Sequence, residues 1–393
     1  MRRGFGVMAV AVGAAVLLAG NALGSSKSPI VVGLEAPFSG AYATYGEGYQ
    51  RGIATWIAQN GQPTVNGRKV VIKTIDDQCD VGTAVAAFRR VASQVTALLG
   101  PSCSSEAPAL APLLAANRVP ALDLGHAASI TLGYHGGWFF RMTQPDAPNQ
   151  YAFAQYLLPL WKKHGITKLG LIYDTTTTDA GAATSWTTAA HSQGDQLVAS
   201  QPFAEGATDF TSEILKVKEA GAQAVILQVY GPDESNIIHQ MSDLKLSIPI
   251  ASAEDTPYPF VINKQTGPGI EGVWFYSDYV RGSGKPPLAQ FEQTFSKLYP
   301  GQIPLDIEWE GYLALKVLMH ALQQPGATNG GTQLQKALQQ TNLSMGALPR
   351  LTFLSNGDQT STLTYVGRVE KGKPVFVKLL VQPRTSFPGW KGQ

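Results

Sequence analysis

Two cysteines, Cys79 and Cys103, are all that 393 residues contain. No histidine stands near either one in the sequence, which argues against a Cys/His metal cluster. Charge of one sign is also lacking: 30 Lys and Arg face 28 Asp and Glu, with no basic block. That balance argues against nucleic acid or a membrane surface as partner. Beyond the first 24 residues no stretch reaches the roughly 18 apolar residues of a membrane-spanning helix. Catalytic signatures are missing too. Gly46-Glu47-Gly48 continues to Gly52, which breaks dinucleotide-loop spacing and lies in a helix-period segment. There is no G-x-x-x-x-G-K-[ST] phosphate loop. Ser39 and Gly40 sit in Pro37-Phe38-Ser39-Gly40, without the first glycine of a nucleophile elbow. The six histidines form no H-E-x-x-H. Nothing here argues for an enzyme, and no metal or cofactor is expected.

What is present begins with an export signal over residues 1–24. Arg2 and Arg3 form a positive start, residues 7–19 are apolar or Gly, and Ala22 and Gly24 are the small residues before a cut at Ser25. The Arg-Arg-Gly-Phe opening also fits a twin-arginine signal. Removing Arg2 and Arg3 takes the formal charge of +2 to zero. The expected product is a soluble, exported chain, periplasmic in location. In an oxidising compartment an isolated cysteine pair is more often bridged than free. Closing a loop of about 25 residues is worth roughly 3 kcal/mol in the chain-entropy model.

The exported part alternates β-rich runs with helix-period segments. Strands are expected at Pro29–Pro37, Val70–Ile75, Ala97–Gly100 and Val119–Leu124, with helices over Ala43–Gln59, Thr83–Ser93 and Ser104–Asn117 between them. A second series runs from a helix at Gln150–His164 through strands at Lys168–Asp174, Leu197–Phe203, Ala224–Tyr230 and Ile248–Ser252. Such βα alternation with short connections implies parallel sheets covered by helices on both faces. Helices at Pro287–Leu298, Asp306–Gln323 and Thr332–Thr341 follow, and Leu351–Val381 reads as hairpins with a turn at Asn356-Gly357.

Doubly wound sheets bind ligands at the carboxyl ends of their strands. Two such ends carry small hydroxyl residues: Pro37-Phe38-Ser39-Gly40 and Pro101-Ser102-Cys103-Ser104-Ser105. A helix starting at Ser104 would offer free N–H groups and a positive dipole end to a carboxylate. Ser104 reads equally well as a simple helix cap.

Three pieces carry a specific resemblance: Val32–Gly46 (VGLEAPFSGAYATYG), Asp76–Asp80 (DDQCD) and Leu99–Ser105 (LGPSCSS). In order and spacing they resemble the branched-chain amino acid binding proteins of ABC importers, the leucine/isoleucine/valine-binding family. The resemblance covers the whole exported chain and weakens after Asp174. It implies a type I periplasmic binding protein: two α/β lobes of doubly wound parallel sheet, three crossover segments and a ligand cleft between them. The lobes are expected at residues 25–143 with 275–348, and 144–274 with 349–393. The resemblance also implies a Cys79–Cys103 disulfide. By position it makes Ser104 the ligand-carboxylate serine, Tyr45 a cleft-lining tyrosine, Tyr230 a closing tyrosine and Glu254 the partner of an α-ammonium. Ser39, Cys103, Gly125 and His126 complete the expected ligand-binding set.

Two departures bear on the ligand. Leu124-Gly125-His126-Ala127-Ala128-Ser129 puts His126 near the family's threonine, and Asp174–Asp179 lacks the family's tyrosine. A histidine changes the donor pattern, and a missing ring leaves room. The reading is a monomeric exported protein that hands a small carboxylate-bearing solute to an ABC permease and does no chemistry, with leucine, isoleucine and valine expected to bind weakly. A ligand-sensing module of the same fold and an exported α/β hydrolase are the rival readings.

Overall fold

A computed structural model describes residues 27–133, 137–175, 177–204, 206–229, 232–252, 267–284 and 286–388. The leader, Tyr230 and Glu254 lie outside them. The first lobe is built from β1 (Ile30–Ala36), α1 (Ala43–Asn60), β2 (Thr64–Val65), β3 (Arg68–Asp76), α2 (Val81–Val91), β4 (Ala97–Leu99), α3 (Ala107–Asn117), β5 (Ala121–Asp123), α4 (Ser129–Gly133) and β6 (Phe139–Arg141). Its sheet runs β2-β3-β1-β4-β5-β6 and is parallel apart from the β2–β3 pair. β1 is central, and Ile30, Val32 and Leu34 are fully buried. A parallel strand covered on both faces requires such an apolar run. α2 starts where the Asp80 carboxylate accepts the Thr83 N–H at 2.7 Å, an ordinary N-cap.

The second series contains α5 (Asp146–Lys162), β7 (Lys168–Asp174), α6 (Thr177–Gln193), β8 (Gln196–Phe203), α7 (Thr211–Glu219), β9 (Ala224–Gln228), α8 (Pro232–Asp243), β10 (Ile250–Ser252) and β11 (Trp274–Ser277). The remainder holds α9 (Leu288–Leu298), α10 (Asp306–Leu322), α11 (Gly331–Gln339), β12 (Asn342–Leu343), β13 (Leu351–Thr352), β14 (Ser361–Glu370) and β15 (Lys373–Pro383). The second sheet runs β15-β14-β11-β10-β9-β7-β8, with β14 and β15 antiparallel at one edge.

The chain therefore passes between the sheets after β6, after β11 and before β14. Between the last two passages, α10 lies against α1 of the first lobe. A Cβ on Gly52 would stand 1.9 Å from the Glu308 carbonyl oxygen, and one on Gly311 would stand 2.4 Å from that of Tyr49. Gly52 of α1 and Gly311 of α10 are thus where two helix backbones touch.

The expected lobe boundaries need two corrections. Residues 275–277 belong to the second sheet, because β11 pairs with both β10 and β14. Residues 349–360, assigned to the second lobe, belong to the first. There Phe353 packs on Phe140 with ring centroids 5.3 Å apart, and Asp358 pairs with Arg141. The turn at Asn356-Gly357 is present, with Gly357 at φ 87° and Phe353 bridged to Gln359.

Candidate functional site

Six expected site residues, Ser39, Tyr45, Cys103, Ser104, Gly125 and His126, gather at the carboxyl ends of β1, β4 and β5. Ser39 follows β1, and its hydroxyl donates to Asp76 Oδ2 at 2.6 Å. The Phe38 N–H donates to the other oxygen at 2.9 Å, so the loop after β1 is tied to the end of β3. Tyr45 lies in the first turn of α1, half-buried, its ring 6.0 Å from that of Tyr42. Cys103 is bonded to Cys79, with the Cα atoms 5.5 Å apart.

Ser104 opens a short 3-10 turn, Ser104–Glu106, that leads into α3; Cys103 occupies the cap position. Simple capping is therefore not its role. Its Oγ accepts the backbone N–H groups of His126 at 3.2 Å and Ala127 at 3.1 Å. A hydroxyl has two acceptor sites and one donor. With both acceptor sites used, the O–H of Ser104 remains to donate.

The loop after β5 meets Ser104 because buried Arg141 turns it. Arg141 donates to the carbonyls of Gly125 at 2.6 Å and Ala127 at 2.8 Å. Thr143 also donates to Gly125 O, at 2.7 Å. With the carbonyls drawn inward, the amides of the loop face Ser104. Gly125 is small for a reason: a Cβ there would stand 2.8 Å from Ile130 Cδ1 and 3.1 Å from Ser104 Oγ. The guanidinium is held by Asp358 at 3.0 Å and lies 3.7 Å from Asp123. Burial pushes the Asp123 carboxyl up to about 6, with Arg141 opposing the rise.

His126 stands beside acids that the sequence reading did not single out. Its Nε2 is 3.2 Å from Glu310 Oε1 and 3.9 Å from Asp278 Oδ2. Glu310 lies on α10, and Asp278 directly follows β11. Burial holds the Asp278 carboxyl well above the usual range; His126 pulls it back and Glu310 adds to the rise. Asp278 also accepts the N–H of Gln144 at 2.5 Å and the Asn149 side-chain amide at 3.1 Å. One signal could have flagged it: a residue just past the end of a parallel strand is where such folds place ligand contacts. Glu310 carried no local signal.

A hollow of about 480 Å3, measured out to open solvent, lies on the connecting segments between Gln144, Asp278, Trp309, Gln359 and Tyr365. It reaches the His126 neighbourhood through Asp278 but touches neither Ser39, Tyr45 nor Ser104. The strand-end cluster is the better candidate site, since it has the exposed edge and the polar donors. Among the described residues no helix is long and apolar enough to cross a membrane.

Comparison with known proteins agrees with this architecture. Residues 29–374 match the model of a family described as periplasmic binding protein. A Leu/Ile/Val-binding protein homolog of Brucella melitensis is 24% identical over 358 residues, 89% of this chain and 94% of that protein. The solved leucine binding protein LivK of Thermotoga maritima superposes with a TM-score of 0.79 at 22% identity, covering 89% of this chain and 98% of that one. A solute binding protein of an ABC transporter from R. palustris, solved in complex with benzoate, also gives 0.79, at 18% identity over 89% of this chain and 96% of that one.

Proposed function

Because this chain belongs to the periplasmic binding protein family, we propose that it captures a small carboxylate-bearing solute between its lobes and delivers it to an ABC permease without chemical change. The observation that carries this is the Ser104 hydroxyl: both of its acceptor sites are taken by loop amides, so it offers a donor at the strand ends. Binding proceeds by closure of the lobes about the three connecting segments. Ser39, Tyr45, Gly125 and His126 are the solute's contacts on the first lobe, and the family resemblance adds Tyr230 and Glu254, which lie outside the described residues. Residues 1–24 are the leader that takes the chain to the periplasm.

The solute differs from leucine. His126 brings a ring nitrogen to the wall, and the segment after β7 has no tyrosine to fill the opposite side. An aromatic or second polar group suits that space. The relatives named for leucine and the structure holding benzoate make both classes the proper panel.

A thermal-shift screen of branched-chain amino acids, benzoates, dicarboxylates and amides tests the reading. A ligand at 100 times its dissociation constant adds about 2.7 kcal/mol. Ser104→Ala should weaken the best binder by about 0.5–1.5 kcal/mol, or up to about 3 if the partner is charged. No hit across the panel, or a hit untouched by Ser104→Ala, would count against the site. Leucine as the best ligand would refute the specificity.

A further inference from the structure

Three potential metal-binding atoms, from three separate segments, converge where the lobes join. His126 comes from the loop after β5, Glu310 from α10, and Asp278 from the end of β11. One donor atom of each lies within 4.8 Å of the other two. The histidine–glutamate distance is 3.2 Å and the histidine–aspartate distance 3.9 Å. Donors held about 2.0–2.2 Å from one ion stand roughly 3–4.4 Å apart, depending on the coordination angle. The cluster is therefore already close to ligating geometry.

The surroundings favour a cation over a plain ion pair. The Asp278 and Glu310 side chains are 5% and 1% exposed, and a metal ion would neutralise two carboxyls held this close. The Asp278 oxygen that faces His126 also accepts the Gln144 N–H, and its other oxygen accepts the Asn149 amide, so the carboxylate is fixed as ligands of metals commonly are. His126, 15% exposed, gives the site its opening to solvent.

We propose that His126, Asp278 and Glu310 bind one divalent transition-metal ion of the zinc class. One imidazole and two carboxylates are a set that suits such an ion, and three protein ligands leave a coordination position for water or a ligand oxygen. Two carboxylates neutralise the ion's charge. Because Asp278 ends a strand of the second sheet while His126 and Glu310 belong to the first lobe, the ion fastens one lobe to the other. The inference does not depend on which solute the cleft takes.

The test uses the exported chain stripped with a chelator and dialysed. Zn2+ is titrated by calorimetry, bound metal is counted by mass spectrometry, and melting is followed with and without the ion. One Zn2+ per chain is expected, with a raised melting temperature. Glu310→Gln and His126→Asn should each weaken binding at least tenfold and remove the melting shift. If Glu310→Gln does not fold, His126→Asn decides, since its side chain reaches the surface. Absence of stoichiometric binding, or binding that both variants retain, would overturn the proposal. A melting temperature that follows pH but ignores Zn2+ would reduce the cluster to a histidine ion pair.

Discussion

Two sets of buried carboxyls in the first lobe differ in their partners. Beneath the disulfide, Glu35, Asp77 and Glu106 are fully buried, and among the described residues no hydrogen bond reaches either oxygen of Glu35 or Glu106. Around Arg141, Asp123 and Asp358 are buried just as deeply but share one guanidinium. Burial and mutual repulsion hold Glu35 well above the usual range and push Glu106 up to about 10. Burial likewise takes Asp77 up to about 7, while Asp123, with Arg141 opposing, reaches only about 6. The lesson is that burial and neighbouring acids raise a carboxyl, and a fixed cation opposes the rise. The first set is an acid floor without a cation; the second is a clamp around Arg141 that shapes the Gly125–Ala127 loop.

Removing the clamp is the severest way to break this contrast. Arg141→Met leaves Asp358 and Asp123 buried without their cation and frees the carbonyls of Gly125 and Ala127. Breaking a buried pair from one side costs about 3–5 kcal/mol. Urea unfolding at pH 7 should report a loss of that size. A loss below about 1 kcal/mol would mean that the guanidinium is not what holds these acids.

The acid floor predicts a smaller effect of opposite sign. A carboxyl whose folded pKa is raised binds a proton in the native state that the unfolded chain has released. Stability then falls as pH rises, starting at the ordinary value and ending at the folded one. For Glu106 the window runs from 4.5 to about 10, and for Asp77 from 3.8 to about 7. Glu106→Gln removes that penalty. It should stabilise the protein by about 1–3 kcal/mol at pH 8, the scale of a buried group without its partner, and change little at pH 5. Equal effects at the two pH values would show that Glu106 does not titrate with folding.

The two regions also differed in how far the sequence disclosed them. β7, Lys168–Asp174, ends where periodicity and composition put its ends, because a buried parallel strand is an uninterrupted apolar run. The strand-end serines and the cysteine pair were equally legible, since the residues of each box are local. The 349–360 segment was not. Its side is fixed by Asp358 meeting Arg141 across 217 positions, and no local pattern carries that. Glu310 was missed for the same reason: it meets His126 across 184 positions. Buried acids on α10 read in sequence as an ordinary acidic helix start, which is also what Asp306 and Glu308 are. Gly52 broke the spacing of a dinucleotide-loop motif in sequence and is a helix contact.

Lobe closure on a solute is the central claim, and small-angle X-ray scattering tests it most directly. The exported chain is measured alone and then saturated with the best binder from the solute panel. A smaller radius of gyration is expected in the saturated sample, and, with both proteins given solute near the wild-type dissociation constant, a smaller change for Ser104→Ala than for the wild type. Confirmed binding with an unchanged radius would contradict capture between closing lobes.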